Sequence, residues 1–109
     1  METRDQNLIK DFKDNLPLQI AAHIKRMVVF GSRARGDYQE FSDLDLLVLL
    51  DEEKPELEKQ LQEAAYNAMW KNNFVPILSL KTFSQWKYER YLKEGYSFYK
   101  AVEKEGILV

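Results

Sequence analysis

The run Leu44-Asp45-Leu46-Leu47-Val48-Leu49-Leu50 is apolar at every position but one. A strand of that composition has no face to offer to water, so it reads as the central strand of a sheet covered on both sides. The rest of the chain must then supply neighbouring strands and helical cover within 109 residues. Asp51-Glu52-Glu53 ends the run. Its one interruption, Asp45, stands two positions after Asp43, and a period of two puts both carboxylates on one face, with Cα atoms roughly 6.5–7 Å apart. Leu44 between them points the other way, into the core.

The covering elements can be placed from spacing. Leu8, Ile9, Phe12 and Leu16 recur at three- and four-residue intervals, which predicts an amphipathic helix over about residues 4 to 16, interrupted at Pro17. Leu18 to Ile24 has room for a further helical turn or two. Met27-Val28-Val29-Phe30 is a short buried strand that runs directly into Gly31. Gly31 to Gly36 is expected to be a tight turn and short helix, followed by a polar loop over Asp37 to Phe41, with Ser42 ordering the turn before Asp43. Pro55 suits the first turn of a helix reaching about Lys71. Leu57, Leu61, Ala64, Ala65, Ala68 and Met69 face inward on it, and Lys54, Lys59 and Lys71 form a solvated face. Asn72-Asn73 stops it. Phe74 to Leu80 is expected as a third strand, with Pro76 placing it at an edge or a bulge. Thr82 is expected to cap a helix over 83–94 that Gly95 ends, and Ser97 a last helix before Gly106. Ile107-Leu108-Val109 adds a short strand or simply packs. The order predicts an α/β (α+β) chain with a small mixed sheet of three to four strands flanked by helices, as one domain over residues 1–109.

Composition excludes several classes. Net charge is −2 and the isoelectric point about 5.5, which disfavours binding to duplex nucleic acid through long phosphate contacts. There is no cysteine, so disulfide scaffolds and thiolate metal sites are ruled out. Residues 1 to 15 are polar and charged, without the pattern of a signal peptide. The longest apolar run, Leu46 to Leu50, is far too short to span a membrane. A cytoplasmic location is expected. His23, the only histidine, lies on a helical stretch before the first strand and reads as a surface or packing residue. Trp70, Trp86, Tyr88, Tyr91, Tyr96, Phe98 and Tyr99 make the second half strongly aromatic; most are expected in the core, with some free to meet a partner.

The chemistry concentrates in two short segments. Ten residues separate Gly31-Ser32 from Asp43-Leu44-Asp45, and each segment lies at the end of a strand. A glycine at a strand end lets backbone N–H groups approach a phosphate, and the Ser32 hydroxyl can donate to phosphate oxygens. Two carboxylates on one face suit Mg²⁺, which takes oxygen ligands completed by waters and substrate phosphates. Arg33 and Arg35 offer planar donor forks that match phosphate, or form ion pairs with Asp37 or Glu40. Gly36 serves backbone geometry.

The stretch Phe30-Gly31-Ser32-Arg33-Ala34-Arg35-Gly36, followed by Ser42-Asp43-Leu44-Asp45-Leu46-Leu47-Val48, resembles the minimal nucleotidyltransferases (MNT proteins) of the DNA polymerase β-like nucleotidyltransferase superfamily. The resemblance covers residues 26 to 50 and is more specific for the superfamily than for a substrate. It implies two-metal transfer of AMP from ATP, with Asp43 and Asp45 as catalytic, Mg²⁺-binding residues and Gly31 and Ser32 at the β and γ phosphates; Arg33 and Arg35 are nucleotide-binding candidates on their donor geometry alone. It also implies a partner, because many MNT proteins act as antitoxins of HEPN-domain ribonuclease toxins and some adenylylate a tyrosine of the toxin. Assembly with itself or with such a partner stays open. One departure stands out. Active members commonly carry a third carboxylate on the next core strand, as metal ligand and base, and Phe74 to Leu80 has no Asp or Glu. Glu89, on the following helix, is the residue that could approach to take its place. Three functions therefore follow: an adenylyltransferase acting on a partner's hydroxyl, a nucleotide-binding antitoxin that works by occlusion, and a small-molecule nucleotidyltransferase.

Overall fold

In the computed structural model, which describes residues 1–109, the chain runs α1 (Thr3–Asp14), α2 (Leu18–Ala21), β1 (Ile24–Phe30), α3 (Ser32–Arg35), β2 (Leu44–Leu50), α4 (Pro55–Lys71), β3 (Leu78–Ser84), α5 (Gln85–Lys93), α6 (Ser97–Glu105) and β4 (Ile107–Leu108). The sheet has four strands in the order β3-β2-β1-β4. β2 runs parallel to β3 and antiparallel to β1, and β4 closes the far edge antiparallel to β1. The sheet is mixed and flanked by helices on both faces, as the apolar run requires.

Every side chain of β2 except Asp45 is buried. Its alternation sorts the two layers. Leu44, Leu46, Val48 and Leu50 join Leu8, Phe12, Leu57, Leu61 and Ala65 in one core beneath α1 and α4. Leu47 and Leu49 join Val28, Tyr88 and Val102 in a smaller core beneath α5 and α6. Burying a leucine fully contributes about 1.5–3 kcal/mol, so a strand of six buried residues anchors both layers. No helix is long and apolar enough to cross a membrane.

Several boundaries differ from expectation. β1 starts at Ile24, so the second helical segment ends at Ala21. The third strand begins at Leu78 and runs to Ser84, four residues later than the 74–80 expected. Asn73 and Phe74 both hold φ of +57°, and the Phe74 N–H bonds Met69 O at 2.8 Å, so the chain coils tightly behind α4 before the strand can start. Thr82 therefore lies inside β3, and Ser84 caps α5, its Oγ accepting from the Lys87 N–H at 3.1 Å. Ser97 is the first residue of α6 rather than its cap. Among the seven aromatic residues singled out, only Tyr88 is buried; Trp70, Trp86 and Tyr96 are more than half exposed. The layer of α5 and α6 is thin and leaves rings on its outer side.

A buried ion pair ties the first helix to the turn after β1. The Arg33 Nη1 donates to Asp5 Oδ1 at 3.0 Å, with both side chains essentially inaccessible to water. Its Nε donates to Ser42 O at 2.9 Å and its Nη2 to Glu40 O at 3.2 Å, and the guanidinium lies 4.5 Å from the centre of the Tyr38 ring. One side chain thus binds α1, α3 and the loop that leads to Asp43. Asp5→Ala or Arg33→Ala should each cost about 3–5 kcal/mol, because the remaining charge is left buried without its partner. The double variant should lose much less than the sum. Urea unfolding of the three variants measures this, and additive losses would contradict the pairing.

Candidate active site

The site begins where β1 ends. In the antiparallel register Phe30 pairs with Asp45, which brings Gly31 beside that carboxylate. Gly31 holds φ +76° and ψ −158°, a conformation open essentially to glycine alone. A Cβ there would stand 2.5 Å from Asp45 Oδ2, so a side chain at this position is excluded by backbone and by space together. Gly31 O then accepts from the N–H groups of Ala34 and Arg35, both at 3.1 Å, to start α3. The N–H groups of Ser32 and Arg33 precede these bonds and, by helix geometry, are left for another acceptor. The cap position is Gly31, so the Ser32 hydroxyl is not used in capping.

Asp43 and Asp45 meet this turn from the start of β2. Burial first, and then the charge of Asp43, hold the Asp45 carboxyl above the usual aspartate range; Lys81 and Arg35 act in the opposite sense. Neither aspartate enters an ion pair with a side chain, in contrast to Asp5, Asp37 and Asp51. Two carboxylates of hard oxygen donors, mutually repelling and unneutralised, beside a turn without a side chain, fit a divalent cation such as Mg²⁺. A cavity of about 180 Å³ reaches the turn at Gly31, lined also by Phe30, Arg35, Phe98 and Glu105 among others, but by neither aspartate.

The structure brings Gly31 and Asp45 together, with Ser32 next to Gly31 in the chain and the charge of Asp43 acting on Asp45. Arg35 lies at the margin: its Nε bonds Asp37 Oδ2 at 3.2 Å and its Nη1 is 3.5 Å from Glu105, and its charge still reaches Asp45. Arg33 does not belong with them. Expected near the nucleotide, it turns inward and spends its donors on Asp5 and the loop carbonyls. Ser42 does order the turn before Asp43, its Oγ accepting from the Gln39 N–H at 2.9 Å. β3, in its observed position, also carries no Asp or Glu, and Glu89 bonds Gln85 on the surface of α5. The only other carboxylate acting on Asp45 is Asp43. Lys81 on β3 was missed, because the strand was placed too early for residue 81 to fall on it. His23 is partly exposed, as a surface residue would be, but lies in the turn between α2 and β1 rather than on a helix; its Nδ1 lies 2.9 Å from Asp51 Oδ1 and 3.7 Å from Glu52, at the opposite end of β2 from Asp45.

Asp45 is therefore a destabilising residue as the chain stands. Its folded-state pKa is raised, so the penalty is present above that value and disappears as pH falls and the carboxyl is protonated. Asp45→Asn should raise the midpoint of thermal unfolding by a few degrees at pH 7, with the gain shrinking toward pH 4. Calorimetric scans across that range measure it; an equal or lower midpoint at pH 7 would contradict the electrostatic picture. Gly31→Ala should lower stability by about 1–3 kcal/mol through strain alone.

Comparison with known proteins places the chain in a family. The family model described as a nucleotidyltransferase domain matches residues 6–105. Two candidate protein adenylyltransferases of Methanocaldococcus jannaschii are 43% identical, one over 53 residues (49% of this chain, 54% of that protein) and one over 47 residues (43% and 47%). The chain spans about half the length of these curated relatives. The solved structure of a candidate minimal nucleotidyltransferase superposes with a TM-score of 0.61 at 27% identity, over 96% of this chain and 95% of that one. A chain of a toxin–antitoxin crystallised with AMP-PNP shares the fold, with a TM-score of 0.55 at 19% identity over 95% of this chain and 70% of that one. With the match extending over nearly its whole length, the chain belongs to the nucleotidyltransferase domain family.

Proposed function

We propose that residues 1–109 form one catalytic domain that moves AMP from ATP-Mg²⁺ to a hydroxyl acceptor, a tyrosine of a partner HEPN-domain ribonuclease toxin. The observation that carries this reading is the placement of Asp45 over the backbone of Gly31, with Asp43 acting on it. The names of the M. jannaschii relatives support protein as the acceptor, and the toxin–antitoxin neighbour supports a partner of that kind.

The roles follow from position. Gly31 lets the triphosphate lie against the main chain. The N–H and hydroxyl of Ser32 donate to β and γ phosphate oxygens. Asp43 and Asp45 would hold Mg²⁺, and Arg35 borders the site. Bound there, Mg²⁺ would neutralise charge developing on the α-phosphate and the departing pyrophosphate. Transfer joins the acceptor oxygen to the α-phosphorus, breaks the bond to the bridging oxygen of the β-phosphate, and releases pyrophosphate, while the acceptor's hydroxyl proton passes to solvent water. Arg33 acts at a distance, by holding the loop from which Asp43 emerges.

The lack of an acid on β3 favours a second reading, in which the domain binds nucleotide but silences its partner by occlusion. Incubation with α-labelled ATP, Mg²⁺ and a HEPN-domain protein separates the two. Label should move to a tyrosine of that protein and fall about a hundredfold or more in Asp43→Asn and Asp45→Asn. A tight complex without label, unaffected by either substitution, would establish occlusion. Label on a small hydroxyl compound would point to a small-molecule acceptor.

A further inference from the structure

We propose that Lys81 is a phosphate-binding residue of this site, and that its position on β3 makes the domain a one-cation nucleotide binder. The proposal rests on the reading of Gly31, Asp43 and Asp45 given above. It concerns the side of the site on which the sheet supplies no further carboxylate.

Register and face put Lys81 there. β3 lies parallel to β2 with Ser79 opposite Asp45 and Lys81 opposite Leu47. Leu78 and Leu80 pack into the core under α1 and α4, and the Thr82 hydroxyl donates to Glu58 Oε1 of α4 at 3.0 Å, which fixes the even-numbered positions on that side. Phe83 packs with Leu47 and Leu49 on the other side. Alternation then sets Ser79 and Lys81 on the face that carries Asp45.

Charge completes the case. Lys81 is exposed and enters no ion pair, whereas Arg35, the other cation that acts on Asp45, is already engaged by Asp37 and Glu105. An ammonium on a flexible stem is a compact point charge suited to phosphate oxygens. It is also a poor neighbour for a second divalent cation. Two aspartates and one lysine sum to a single negative charge, enough to hold one cation against a triphosphate but without ligands for another. Lys81 would replace, by a fixed positive charge, the neutralisation that a second metal provides elsewhere.

The experiment measures binding rather than turnover. Titration calorimetry with ATP in EDTA should show Lys81→Ala weaker than the natural chain by about tenfold to a hundredfold, with Lys81→Arg close to it. Counting Mn²⁺ by electron paramagnetic resonance in the AMP-PNP complex should give one ion per chain, and two in Lys81→Glu, which supplies the missing carboxylate. Unchanged metal-free affinity in Lys81→Ala, or two ions bound to the natural chain, overturns the proposal. If Asp45→Asn abolishes Mg²⁺-dependent ATP binding while Lys81→Ala binds normally, the role of Lys81 fails and the aspartate site stands. If the natural chain binds no ATP, both fail together.

Discussion

The approach of the Asp45 carboxylate to the backbone of Gly31 is the contact on which the site depends. It needs a residue with no Cβ, in a conformation that other residues avoid, at the point where one strand ends and its antiparallel neighbour begins. Given that contact, the rest follows. The strand holding Asp45 is fixed by six buried apolar side chains, so the carboxylate cannot retreat. The turn after Gly31 begins a helix whose first N–H groups, like those of any helix, have no acceptor within it.

Two opposed electrostatic arrangements hold this region. Arg33 and Asp5 are buried, paired and surrounded by carbonyl acceptors, and they secure the first helix, the turn and the loop. Asp43 and Asp45 are left without ion pairs beside this brace, and burial and the charge of Asp43 act against Asp45. A chain selected for stability alone would not keep the second pair, and local violations of this kind cluster where a protein binds or reacts. The brace and the strained site share one loop, so the stability of the first supports the strain of the second.

Much of this could be read from residue order. The apolar run named the central strand, Pro55 and Asn72 bracketed the long helix, and the Gly31-Ser32 and Asp43-Asp45 segments met as expected because each lies at a strand end, where register brings neighbours together. Other features turned on tertiary contacts. Arg33 looked like a phosphate ligand because its planar donor fork matches phosphate; its partner Asp5 lies 28 residues earlier and no local pattern links them. The third strand was misplaced because its start depends on two left-handed residues, Asn73 and Phe74, of which the second is an unlikely bearer of that conformation. That shift hid Lys81. Of the aromatic residues assigned to the core in this part of the chain, Tyr88 joins the smaller core and Phe98 and Tyr99 pack against it, whereas Trp86 and Tyr96 stand on the outer side of a thin layer.

A crystal structure of the chain with Mg²⁺ and AMP-PNP would test the central claim most directly. The triphosphate should lie across Gly31 and Ser32, with a cation bridging it to Asp43 and Asp45. Nucleotide seated elsewhere, for instance along the outer face of α4, or a cation held at His23 and Asp51 instead, would contradict the account.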